Sequence, residues 1–248
     1  YFLGLAETSL ANYEAGIQIF EKLLDEGFES EELFLNLAIA YMNCELWQKS
    51  RDILTKIVDI NPESDLGNYG LGMLSHLQGN YEKALACFET IEATADTEYF
   101  YLTAQGDSWR KLAQFSKAVK CYRKALFLRP DFLRAIRHLG ILLLRLRDLQ
   151  EALLFCRQAV AMDPMDANSH LNLGICLRSM ESIEEAMDAF ARAIELDPDS
   201  MSISLQIGMA FQEISEFHHA TFWFEKVLVD EPENLDAKLG LASISSEM

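Results

Sequence analysis

Apolar residues recur along the chain at three- and four-residue spacing, in short runs separated by one or two polar or glycine positions, and the runs come in pairs. Residues 137–164, RHLGILLLRLRDLQEALLFCRQAVAMDP, show the pattern. One apolar run ends at Leu146, Arg147-Asp148 breaks it, a second runs to Met162, and Asp163-Pro164 stops it. The spacing predicts two amphipathic helices joined by a tight turn, then a break before the next pair.

The pairs repeat with a fixed period. The five prolines, Pro62, Pro130, Pro164, Pro198 and Pro232, are separated by 34 or 68 residues. With proline at position 32 of a 34-residue frame, repeats run 31–64, 65–98, 99–132, 133–166, 167–200 and 201–234. A partial repeat at 1–30 precedes them and a partial or capping helix at 235–248 follows, so the chain is predicted to be one all-α solenoid over 1–248. Position 8 is always small (Gly4, Ala38, Gly72, Gly106, Gly140, Gly174, Gly208, Ala242), as is position 20 (Gly16, Ser50, Ala84, Ala118, Ala152, Ala186, Ala220). Position 17 is always bulky: Tyr13, Trp47, Tyr81, Phe115, Leu149, Ile183, Phe217. Glycine in mid-helix costs about 1 kcal/mol against alanine, so a column of it implies close helix approach. The predicted arrangement has the bulky residue at 17 filling the space beside the small ones. Proline cannot continue a helix and so closes each repeat. One helix pair cannot bury its own apolar face, whereas a stack can.

These columns resemble the tetratricopeptide repeat family, whose motif has a bulky residue at 4, Leu at 7, Gly or Ala at 8, Ala at 20, an aromatic at 24, Ala at 27 and Pro at 32. Residues 167–200 match it through Leu173, Gly174, Ala186, Phe190, Ala193 and Pro198. The resemblance implies a right-handed superhelical solenoid of antiparallel helix pairs, with a concave surface lined by the first helix of each repeat and used for protein–protein contacts. Two repeats depart from the pattern: Asp96 stands where proline is expected and Gln105 where leucine is, which marks 92–107 as a predicted irregularity.

In 133–166 the packing positions are predicted to be Ile136, Leu139, Gly140, Leu143 and Leu146 of the first helix, with Ala152 and Ala159 of the second. Ile141 and Leu144 are left over, at positions 9 and 12, which the resemblance turns toward the groove. Position 9 reads Leu5, Ile39, Met73, Asp107, Ile141, Ile175 and Met209, apolar in all but one case. Position 5 adds Tyr1, Leu35, Tyr69, Leu171, Leu205 and Leu239, position 2 adds Leu66 and Phe100, and position 12 adds Met42. Two readings stand: an apolar trough for an amphipathic or extended apolar segment of a partner, or tight curvature in which these side chains pack on neighbouring first helices.

Charge changes the picture in the middle. The net charge is −18, yet residues 99–166 carry 12 lysines and arginines against 6 acids, whereas 1–98 carry 5 against 18 and 167–248 carry 4 against 15. Acidic ends disfavour nucleic acid. Asp107, Arg110, Arg134 and Arg137, with Arg178 further on, form a candidate basic patch within the groove, suited either to a partner carboxylate or to internal ion pairs. The lysine and asparagine clamp with which some family members hold a C-terminal carboxylate is not reproduced at the matching positions.

Cys44, Cys87, Cys121, Cys156 and Cys176 form no metal-spaced pair and sit in helical apolar patterns, which predicts buried reduced thiols and a reducing, cytoplasmic setting. His76, His138, His170, His218 and His219 are scattered without a nucleophile or carboxylate at matching positions, and no phosphate loop or hydrolase motif occurs. No catalysis and no cofactor or metal are expected. No apolar stretch is long enough to span a membrane. The chain opens at Tyr1 rather than methionine, which predicts a fragment or processed form. The reading is an adaptor, scaffold or chaperone that binds a protein or peptide segment. The alternatives are a targeting, substrate-recruiting arm of a larger enzyme, or a scaffold that self-associates through its solenoid ends.

Overall fold

The computed structural model describes residues 1–91 and 97–247; residues 92–96, with Asp96 at the predicted irregular junction, and Met248 lie outside the described residues. The described residues form 15 helices and no strand, in two compact units. The first unit, Tyr1–Pro130, holds α1 (Phe2–Ser9), α2 (Tyr13–Asp25), α3 (Glu31–Asn43), α4 (Trp47–Ile60), α5 (Asp65–Leu77), α6 (Tyr81–Glu89), α7 (Glu98–Lys111) and α8 (Phe115–Leu128). The second, Asp131–Met248, holds α9 (Leu133–Arg145), α10 (Leu149–Met162), α11 (Ala167–Ser179), α12 (Ile183–Leu196), α13 (Met201–Gln212), α14 (Phe217–Asp230) and α15 (Leu235–Glu247). Odd-numbered helices open repeats and pack on the even-numbered helix that follows; from α3 to α7 and from α9 to α15 they also pack on the next odd-numbered helix. Proline stands two residues past the last helical residue of α4, α8, α10, α12 and α14, as the frame predicts.

The turn inside each repeat is the same seven times, and it is made by the backbone. Position 15 adopts positive φ whatever its side chain: Ala11 (60°), Glu45 (57°), Gly79 (79°), Ala113 (57°), Arg147 (63°), Glu181 (62°) and Ser215 (61°). One left-handed residue lets the amide of the next position reach back to a carbonyl five residues earlier, as in Leu46 N–H to Tyr41 O (2.8 Å) and Asp148 N–H to Leu143 O (3.0 Å). The second helix then starts at the bulky position 17.

Position 34, which the column analysis did not single out, caps the first helix. The side chains of Ser30, Ser64, Asp166 and Ser200 accept from the amides of Leu33, Gly67, Ser169 and Ile203, and Asn234 accepts from Ala237 at 3.0 Å. Phe132 at position 34 supplies no such bond to α9, nor does Thr97, one position earlier in its repeat, to α7.

The small residue at position 8 faces a different partner from the one expected. A Cβ added at Gly4, Gly72, Gly106, Gly174 or Gly208 would lie closer than 3.0 Å to the ring at position 24: Phe20, Phe88, Tyr122, Phe190 or Phe224. Those rings are at most 2 % exposed, whereas the bulky residues at position 17 are only half-buried where the second helix begins. The ring at 24 therefore fills the gap, because it projects from the middle of the second helix onto the middle of the first. Leu146 is a second departure: it follows the end of α9 and is exposed rather than packed. Just before the predicted irregular stretch α6 spans 9 residues where α4, α8, α10, α12 and α14 span 14, and within the stretch α7 runs unbroken through Gln105.

Candidate partner-binding surface

The two readings of position 9 separate by exposure. Ile39 is 36 % exposed, Ile141 38 % and Met209 48 %, with Met73 and Ile175 half-buried. Leu66, Phe100, Leu144 and Leu205 are half-buried, and Leu239 on α15 is exposed. These side chains are apolar, stand on first helices and keep a solvent face. Others predicted beside them do not. Leu35, Met42, Tyr69 and Leu171 are buried, because positions 5 and 12 of those repeats pack on adjoining first helices. Tyr69, for example, lies among Phe88, Phe100 and Tyr101. The apolar surface is therefore narrower than the sequence suggests.

The predicted basic patch is largely occupied by the chain itself. In the first unit Asp107 is buried and accepts the hydroxyl of Tyr122 at 2.7 Å, with Arg110 beside that hydroxyl. Burial, and then the Asp107 carboxylate, hold the Tyr122 phenol neutral far above its ordinary range. Asp107 is thus a core group: one repeat carries tyrosine where others carry phenylalanine, and its hydroxyl needs an acceptor. In the second unit Arg137 reaches Asp163 at 2.8 Å, Asp166 at 3.1 Å and the Ser169 hydroxyl at 3.1 Å. Arg178 is buried and reaches Glu213 at 2.9 Å. Both arginines tie one repeat to the next, so a partner carboxylate has to displace an internal ion pair to reach them. Arg134 is half-buried.

Some exposed apolar residues escaped the sequence reading. Leu154 and Phe222 at position 22, with Phe127 and Val229 at position 29, are 60 % exposed or more. Their signal was in the columns, where other repeats carry Asp52, Lys120 and Asp188, or Asp25, Asp59 and Glu195. Among the described residues, no group of three or more His, Cys, Asp or Glu is placed to hold a metal ion. No described helix is long and apolar enough to cross a membrane.

Comparison with known proteins finds the same repeat. Residues 103–166 and 167–200 match models of the tetratricopeptide repeat. Residues 103–200 thus carry tetratricopeptide repeats. The chain is similar to the peroxisomal targeting signal receptor of Candida albicans, at 25 % identity over 193 residues, covering 60 % of this chain and 32 % of the receptor. The chain spans about a third or less of the length of the curated relatives it matches. Among solved structures it resembles the APC/C hetero-tetramer Cut9-Hcn1, with a TM-score of 0.77 at 17 % identity over 92 % of this chain and 45 % of that one. It also resembles YrrB, described as a TPR protein with an unusual peptide-binding site, with a TM-score of 0.57 at 21 % identity over 74 % of this chain and 95 % of that one.

Proposed function

We propose that the chain recruits a partner protein by holding an apolar or amphipathic segment against the first helices of its repeats, without catalysis of its own. One observation carries this reading: position 9 stays apolar and open at Ile39, Ile141 and Met209 while the position-8 residues beside them are buried. The open face of each isoleucine adds nothing to the core and has a cost in water, which supports a use for that face outside the chain. Likeness to proteins named as targeting-signal receptors, and to one whose peptide-binding site has been described, supports a peptide as the object held. The internal pairing of Arg137 and Arg178 argues for apolar anchoring over carboxylate recognition.

The test is Ile141→Asp combined with Met209→Asp, assayed on partners captured by the parent chain. Capture is expected to fall at least tenfold, about 1.4 kcal/mol, while helical circular dichroism and the urea midpoint stay close to the parent's. Loss of fold in the double variant returns these residues to a packing role.

A further inference from the structure

Charge in the second unit decides what kind of segment its open apolar residues can hold. Between Arg192 and Lys226 the chain carries six acids and no lysine or arginine. α13 lies inside that stretch and has no charged residue of its own. Asp197 and Asp199 precede it, Glu213 and Glu216 follow it, and all four are exposed. Met209, the most exposed of the position-9 residues, shares a concavity of about 400 Å³ with Gln212, Glu213 and Ser215. An uncharged helix with acids at both ends therefore carries the open methionine.

The edge at which the first helices end changes sign along the unit. Buried Arg178, near the end of α11, meets Glu213, just past α13, at 2.9 Å, so those two helix ends lie side by side. Arg178 engages one oxygen of Glu213, whose side chain stays 64 % exposed. Glu181 and Glu216 stand exposed in the turns after α11 and α13. Helix C-termini carry partial negative charge and favour cations, which adds to the field of these acids. At the end of α9 the exposed charges are instead Arg145 and Arg147.

We propose that the segment held in the second unit is a basic amphipathic stretch of a partner protein. Its apolar side chains rest on Ile175 and Met209, and its lysines or arginines meet Glu181, Glu213 and Glu216. The proposal rests on the partner-binding reading above and adds a charge and a direction to it. The cationic end of the segment faces α13, because Arg145 and Arg147 repel it from α9. An acidic segment meets repulsion along α13 instead. Charges of this kind steer encounter and fix register, and exposed carboxylates do so in a salt-dependent way.

The full chain is titrated into three fluorescently labelled peptides with leucine at helical spacing and lysine, glutamine or glutamate at all remaining positions. The lysine peptide is expected to bind about tenfold tighter than the glutamine peptide, with the glutamate peptide weakest and the gap closing as salt rises. Glu181→Arg with Glu216→Gln is expected to weaken the lysine peptide about threefold or more and leave the glutamine peptide unchanged. The chain itself carries Arg147 and Gln114 at those two positions, so the fold is expected to stand, and circular dichroism checks it. Asp188→Lys with Glu225→Gln makes the same change of charge on second helices and is expected to weaken the lysine peptide far less. Equal losses in the two variants mean general attraction to an acidic chain and overturn the proposal, as does a lysine peptide that fails to bind. Met209→Gln is expected to weaken all three peptides. If it does so while the lysine and glutamine peptides bind equally, the charge inference fails and the apolar reading stands; if it weakens none, both fail. The comparison of peptides on the parent chain needs no variant.

Discussion

Two neighbouring helix pairs of the second unit, α9–α10 and α11–α12, share one frame and are filled differently. In α11–α12, Asp166 caps the first helix and Gly174 lies under the Phe190 ring, so close that a Cβ would meet it at less than 3.0 Å. In α9–α10, Phe132 provides no cap bond and Gly140 faces Cys156, where an added Cβ would sit in ordinary contact, 3.4 Å from Phe155 Cβ and 3.5 Å from the Cys156 sulfur. The lesson is that a shared backbone frame does not imply a shared fill: glycine at position 8 is demanded by a ring in one pair and merely tolerated in the next.

The largest test of that contrast is ring against sulfur. Phe190→Ala empties a site whose ring is 2 % exposed and is expected to cost about 3–5 kcal/mol. Cys156→Ala removes a single buried sulfur and costs about 1 kcal/mol. Urea unfolding of both, in reducing buffer, measures the difference, and equal losses would mean that the two pairs are filled alike. A smaller effect comes from adding a methyl group. Gly174→Ala overpacks and is expected to lose about 1–3 kcal/mol. Gly140→Ala has room and gains helix propensity, up to about 1 kcal/mol. Opposite shifts of the urea midpoint sharpen the comparison, and shifts of one sign break it. The smallest effect is expected to be common to both pairs. Arg147→Gly and Glu181→Gly each relieve a left-handed non-glycine residue, at φ 63° and 62°, and each raises stability by about 0.5–1 kcal/mol. Unequal gains would show that the two turns do not share one design.

Periodicity revealed the helices, their pairing and their ends, because prolines at a 34-residue spacing and small residues at positions 8 and 20 are demanded by backbone geometry. The partner of position 8 was harder to see. The half-buried column at 17 is bulky throughout, whereas Cys156 interrupts the bulky residues at 24. The candidate surface was legible in part. Ile141 and Met209 stood out as surplus to the core and are exposed, whereas Tyr69 and Leu171, in the same columns as groove residues, are buried. Periodicity reports which face of a helix a residue occupies but not how closely the next helix covers it. The arginines failed for a related reason: the carboxylates that pair with Arg137 come from Asp163 and Asp166 at the following junction, 26 and 29 positions away. The frame does not encode such a pairing, since it involves side chains that few other repeats share.

The bend between the helices of each repeat is fastened by main-chain atoms alone, and Glu, Ala, Gly, Arg and Ser all serve at its corner. Mutation is therefore free to exchange charge and size at that corner, but not to alter its length. One extra residue there would turn the whole second helix by about 100° about its own axis. The lysines and glutamates that now meet water would be driven against the partner helix, and the rings meant for the interior would be left outside.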